Sequence, residues 1–252
     1  MKELQVALTA AGIDTATLRP ALGDGVETIY CLTSPGGRRA LALWERLRQL
    51  VPATGRWPVL LGGTDDLELV GEQMEGAKGP AQTAELIARA EELAKAPDPR
   101  AWFYRSIGKE VPPDDVTFGP WVARRARHVI TTPYDYRGIP LPAVEVGLVP
   151  SAVCWHAPIL LRFGSFNACP PCEEHAALQK HWLEKYEAEV VAITHETIEL
   201  RVGRPAATRD EARALARQHY SYCTDIVSQG CETVEALAAQ LYRGKAWYFW
   251  WD

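Results

Sequence analysis

The chain closes on Trp247-Tyr248-Phe249-Trp250-Trp251-Asp252, and a strand of that composition limits the folds open to it. Successive side chains in a strand point to opposite faces. Five aromatic rings in a row therefore put large apolar surface on both faces, each ring burying roughly 150–250 Å². Such a strand is expected inside a sheet that helices cover on both sides, rather than at an edge. A ligand- or partner-stacking platform is the alternative use of these rings, with Trp250, Trp251 and Tyr222 as the candidate residues.

The rest of the pattern fits an α/β (or α+β) chain with a mixed sheet and packed helices. Residues 26–33 (VETIYCLT) read as a strand that stops at Ser34-Pro35-Gly36-Gly37. Leu41, Trp44, Leu47, Leu50 and Val51 then recur at helical spacing until Pro52, which is expected to end that helix. Residues 58–61 form a short buried strand before Gly62-Gly63, with Thr64 or Asp65 as the expected N-cap of a helix. Residues 80–96 are the clearest helix, opened by Pro80 and closed by Pro97. Residues 153–163 are expected to be a strand, 169–186 a helix opened by Pro170-Pro171, and 189–194 and 197–202 a hairpin around His195-Glu196. Thr208 with Glu211 three residues on is a capping box, so 208–222 reads as a helix, and 233–242 has the same logic.

Prolines thicken between residues 111 and 150. The expected organisation is therefore an N-terminal lobe over 1–112, a proline-rich connecting segment over 113–150, part loop and part edge strand, and a C-terminal lobe over 151–252. With 252 residues the chain buries enough surface to need no disulfide or metal staple. Its net charge of −5 argues against a sequence-independent nucleic-acid binder, and the basic run Arg124-Arg125-Arg127-His128 reads as a solvated face. No apolar run approaches the length of a membrane span, and the amphipathic first residues lack the apolar core of a secretory signal. A cytoplasmic location with reduced cysteines is the expectation.

Asn167-Ala168-Cys169-Pro170, His175, the stretches AEVVAITHETIELRVGRP and YSYCTDIVSQG, and the terminal WYFWWD together carry a resemblance. The chain resembles an uncharacterised bacterial domain-of-unknown-function family, common in actinobacteria, whose members end in this tryptophan-rich tail. The likeness is strong over about residues 150–252 and weaker before. It implies relatedness and imports no activity. Cys172 departs from the family pattern, which usually has proline there.

Chemistry concentrates in Cys169-Pro170-Pro171-Cys172-Glu173-Glu174-His175. Two thiols three apart at a helix start form the CxxC arrangement that lowers a cysteine pKa, which raises a thiol-redox reading. A zinc reading takes Cys169, Cys172, His175 and Cys223 as ligands, although a second CxxC pair is missing. A nucleophilic reading has Cys169 attack, His175 or His195 act as base and Asp225 or Glu199 orient it, so that Cys169, His175, Cys223 and Asp225 are the catalytic candidates. Against all three stands a purely structural role, since cysteine is among the most often buried residues. Phosphate-loop, nucleotide, serine-elbow and metalloprotease motifs are absent from the sequence. The leading expectation is thus a binding or regulatory protein of immunity or adaptor type with a protein partner, no membrane and no required cofactor. The alternative is a small Cys/His/Asp enzyme, with zinc as the metal its donors would suit.

Overall fold

The computed structural model describes residues 1–113 and 116–252; Asp114 and Asp115, in the connecting segment, lie outside the described residues. Seven strands form one mixed sheet: β1 (Arg19–Leu22), β2 (Ile29–Ser34), β3 (Trp57–Leu60), β4 (Val144–Val149), β5 (Ala188–Ile193), β6 (Thr197–Val202) and β7 (Ala246–Trp250). Their order is β1-β2-β4-β3-β5-β6-β7. Neighbours are antiparallel except β3 and β5, which run parallel. The helices are α1 (Lys2–Ala10), α2 (Arg38–Gln49), α3 (Val51–Thr54), α4 (Thr64–Gln73), α5 (Pro80–Ala94), α6 (Pro99–Ser106), α7 (Ala157–Leu160), α8 (Cys172–Tyr186), α9 (Arg209–Tyr222) and α10 (Val234–Leu241). The mixed α/β architecture is as the periodicities predict. Among the described residues no helix is long and apolar enough to cross a membrane.

The lobes share this sheet. β3, from residues 1–112, pairs with β5, from residues 151–252, and the connecting segment supplies β4. The segment's strand is central, not an edge: it lies between β2 and β3, and all six of its residues are buried. Period decides the layering. Along β7, Trp247 and Phe249 meet Trp182 of α8 and His219 of α9. Tyr248 points the other way, under the Arg127 guanidinium at 4.5 Å. On that second face Trp44 of α2 packs edge-on to Trp57 at 6.3 Å, and Arg201 of β6 bridges Glu45 and Glu189 at 2.5 Å each.

β7 is the last strand of the sheet, contrary to the expectation of an interior position. Trp247 and Phe249 are nonetheless buried and Tyr248 and Trp250 half-buried, because helices and the segment near Arg127 cover the two faces. The outer edge is blunted at both ends. The Lys245 and Ala246 amides donate to the Arg127 carbonyl at 2.8 and 3.2 Å, and the Cys223 thiol donates to the Trp250 carbonyl at 3.0 Å.

Other local expectations shift for definable reasons. Residues 153–163 are helical, not a strand: a 3₁₀ turn, Cys154–His156, runs into α7, whose first turn holds Pro158. α8 starts at Cys172 after an extended Pro171, so Cys169 precedes the helix instead of opening it. Gly63, not Thr64 or Asp65, caps α4, and the Asp66 carboxylate accepts from the Gly63 amide at 2.9 Å. Pro52 sits in the first turn of α3 and so continues the chain helically. At α9 half of the expected box forms: the Glu211 amide donates to the Thr208 hydroxyl at 3.1 Å, whereas the Glu211 carboxylate accepts from the Ala207 amide at 2.8 Å, one residue before the cap.

Candidate functional site

The folded chain brings Cys169, His175, Tyr222 and Cys223 together. His175 lies one turn into α8 and faces Tyr222 in the last turn of α9. Its Nδ1 is 2.5 Å from the Tyr222 hydroxyl and its Nε2 is 3.3 Å from the Cys169 sulfur. Both ring nitrogens are thereby engaged, with no place for Asp225 as the orienting acid. The backbone is shaped around this ring. Gly164 has φ +114°, and a Cβ there would sit 2.0 Å from the Pro170 carbonyl oxygen and 2.9 Å from His175 Nε2. Only glycine suits that approach. Phe163, Tyr222 and Trp251 close around the imidazole at centroid distances of 4.9, 5.3 and 5.1 Å.

The electrostatics come from enclosure. His175 is completely buried, and loss of water drives its pKa down to about 3 against the pull of the Pro170 carbonyl. Burial pushes the Cys169 thiol far up, with the nearby Cys223 adding to the rise, and pushes Cys223 up to about 12. Tyr222 is raised well above its ordinary value, again chiefly by burial. All four groups are therefore neutral at pH 7. A reactive cysteine needs a thiolate in an electropositive, partly open setting, and this arrangement has the opposite character. A neutral imidazole has one N–H, so one ring nitrogen donates and the other accepts. The result is a short hydrogen-bonded chain inside a ring of aromatic side chains.

The remaining candidates stand elsewhere. Cys172, raised to about 12 by burial and by the Glu173 charge, faces the Glu173 carboxylate at 3.6 Å. All six cysteines are free thiols. Asp225, half-buried after α9, accepts from the Gln229 side chain and from the Asp252 amide, both at 3.4 Å. His195, at the β5–β6 turn, bonds Asp66 through Nδ1 at 3.0 Å. Glu199 projects from the other face of the sheet, where Thr131 and Thr132 hold its carboxylate. Among the described residues no three His, Cys, Asp or Glu side chains converge as a metal set. The zinc ligand set therefore does not assemble: Cys172 turns to Glu173, while His175 spends both nitrogens on Cys169 and Tyr222.

A cavity of about 230 Å³ opens next to this core, between β7, the end of α9, α10 and the turn joining them. That turn, Ile226–Cys231, is a π-helix, a rare conformation found often at functional sites. Tyr248 and Trp250 are among its aromatic lining residues, and Arg127, His219 and Trp247 line it as well. The Arg127 Nε, His219 Nε2 and Trp247 Nε1 are buried without a hydrogen-bond partner among the described residues. Burial also lowers the His219 pKa to about 3, so its ring is neutral. Trp250 is thus a cavity wall. Trp251 is instead a core residue, 2% exposed against Phe163 and His175.

Sequence reasoning missed His219, noted Trp247 only as part of the aromatic tail, and read Arg127 as part of a solvated basic face, whereas its guanidinium stacks over Tyr248. His219 had a readable signal: the buried stripe of α9 is Ala212, Leu215, Ala216, His219 and Tyr222, a helical repeat with one imidazole among apolar residues. The stretches YSYCTDIVSQG and WYFWWD, far apart in the chain, meet at this cavity through Ile226, Gly230, Trp247, Tyr248 and Trp250. Compared with known proteins, residues 145–252 match the model of a family described as a domain of unknown function (DUF4253). No match was found among curated proteins or solved structures. The matched span holds the whole Cys169–His175–Tyr222 chain and every wall of the cavity except Arg127.

Proposed function

We propose that the protein is a binding module, bacterial as its resemblance implies and cytoplasmic as its N-terminal sequence and cysteine usage suggest, that takes a small acceptor-bearing molecule in the cavity beneath β7. One observation carries the reading: three of the residues that line a single cavity, Arg127, His219 and Trp247, each hold a buried nitrogen without a hydrogen-bond partner among the described residues. An unpaired buried polar group costs roughly 1–3 kcal/mol, and a ligand that supplies its partner offsets that cost. Arg127 and Trp247 can only donate, so the ligand presents acceptors, with a carboxylate the best match to the guanidinium. Tyr248 and Trp250 suit a flat or apolar body. Typical ligand pockets span about 300–1,000 Å³, so this smaller space suits a compact acid.

A protein partner is a second reading, supported by exposed apolar side chains on the connecting segment: Val129, Tyr136 and Ile139 are 54%, 88% and 55% exposed. The small-molecule reading is tested by tryptophan fluorescence and calorimetry with a panel of compact aromatic and aliphatic carboxylates. Saturable binding that weakens about tenfold in Trp247→Phe, which removes one donor worth roughly 1.4 kcal/mol, supports it. Absence of any heat or spectral change across the panel rejects it.

A further inference from the structure

A larger cavity, about 620 Å³, lies on the α2 side of the sheet, lined by α2, residues 128–134 and the strands β5 to β7. Its body is apolar: Leu41, Trp44, Ile130, Val191, Val202 and Ala246. Charge inside it is already cancelled. The Arg201 guanidinium stacks over Trp44 at 5.0 Å and is shared between Glu45 and Glu189. Glu45 is the one carboxylate among its described lining residues, and it is committed to Arg201. The lining also includes Arg38, His128 and Lys245, which are exposed and so mark the mouth. None of these three side chains has an ion-pair partner among the described residues. In a chain of net charge −5, the two unpaired cations Arg38 and Lys245 beside an apolar opening make a local field that attracts an anionic head while the walls receive an apolar body.

We propose that this cavity binds a single-chain amphipathic acid, its carboxylate at Arg38 and Lys245 and its hydrocarbon body against Leu41, Trp44, Ile130 and Val191. The volume is in the range of a ligand of roughly ten carbons or somewhat more. The site is distinct from the cavity beneath β7. The two share only Ala246, on the strand between them.

Calorimetry with decanoate, kept below its micelle concentration, and with decanol as the uncharged counterpart tests the proposal on the full chain. One decanoate per chain is expected, with decanol at least tenfold weaker. The double variant R38Q/K245Q, confined to exposed side chains, is expected to weaken decanoate about tenfold and to leave decanol unchanged. Leu41→Trp, which fills the cavity, is expected to abolish binding of both. Should that variant not fold, the double variant still decides. Trp247→Phe is expected to leave decanoate binding intact, which separates this site from the one beneath β7. Equal affinities for acid and alcohol, indifference to the double variant, loss of decanoate in Trp247→Phe, or no binding at all would overturn the assignment.

Discussion

His175 and His219 lie in one aromatic core, both fully enclosed and both held neutral, yet their surroundings differ in one respect. His175 has a partner on each ring nitrogen, Tyr222 and Cys169. The Nε2 of His219 has none among the described residues and belongs to a side chain that lines a cavity. Buried polar groups in folded proteins are almost always paired. A satisfied imidazole is thus explained by the fold itself, whereas an unsatisfied one beside open space asks for a ligand. The comparison turns attention from the thiol–imidazole cluster, which has the more suggestive sequence, to the less conspicuous histidine.

The largest expected effect comes from removing the ring that His219 packs on directly and that His175 reaches only through Tyr222. Trp182 is fully buried, stacked on Phe249 at 5.4 Å and packed against the rings of His219 and Tyr222. Trp182→Ala is expected to cost about 3–5 kcal/mol from lost transfer energy plus cavity, read as the shift in denaturant midpoint. A loss under about 0.5 kcal/mol, the range of an ordinary surface change, would mean that this ring does not support the aromatic core around the two histidines.

His175→Leu comes next. It leaves the Tyr222 hydroxyl and the Cys169 thiol buried without their partner, an expected loss of about 2–4 kcal/mol. His175→Gln, which can satisfy one of the two, should recover part of it. Equal losses in the two variants would show that shape, not hydrogen bonding, fixes this position.

Acid titrates both rings and separates them from the carboxylates. An imidazole held neutral down to about pH 3 in the fold takes its proton near 6.5 in the unfolded chain. Its stabilising contribution is complete above 6.5 and falls away as pH drops toward 3. Glu174 acts in the opposite sense. Burial first, then the Glu173 charge, raises it to about 7, so the fold holds a proton that the unfolded chain releases above about 4.5. Glu199, raised by burial, works in the same direction as Glu174. Stability should therefore fall gently from pH 6.5 to about 4.5, where the two kinds of group oppose each other. Below 4.5 it should fall steeply, by about 2.8 kcal/mol per pH unit from the two histidines together. Urea midpoints across pH 3–7 measure this, and a flat profile below 4.5 would contradict the burial of both rings.

The parts of the fold that were legible in the sequence are those with a local period or a local cap. The hairpin around His195-Glu196, the capped α9 and the aromatic β7 need only neighbouring residues to declare themselves. Residues 153–163 do not: Trp155, Ala157, Ile159, Leu160 and Leu161 are buried on every side, which erases the period that separates strand from helix. The place of β4 between β2 and β3 depends on pairings more than a hundred residues apart for β2, and no local signal encodes it. The same holds for the site. Cys169 and His175 are close in sequence and were readable as a cluster, but burial decides their chemistry. The cavity beneath β7 arises where Arg127, α9 and the tail meet, and of its residues only Trp250 stood out beforehand.

The smallest stability effect is expected at His219, and it is the sharpest test of the comparison. His219→Leu removes an imidazole whose Nε2 bonds nothing among the described residues and substitutes a side chain that suits the surrounding Trp182, Trp247 and Phe249 rings. Replacing an unsatisfied buried polar group by an apolar one is close to neutral or stabilising, so the denaturant midpoint should move by no more than about 1 kcal/mol in either direction. The acid slope below pH 4.5 should halve, since one of its two sources is gone. Binding of compact carboxylates beneath β7 should weaken, because leucine offers nothing to a polar ligand. If His219→Leu instead destabilises the protein as much as His175→Leu, the two histidines are equivalent supports of one core, and the cavity's polar lining is no sign of a ligand.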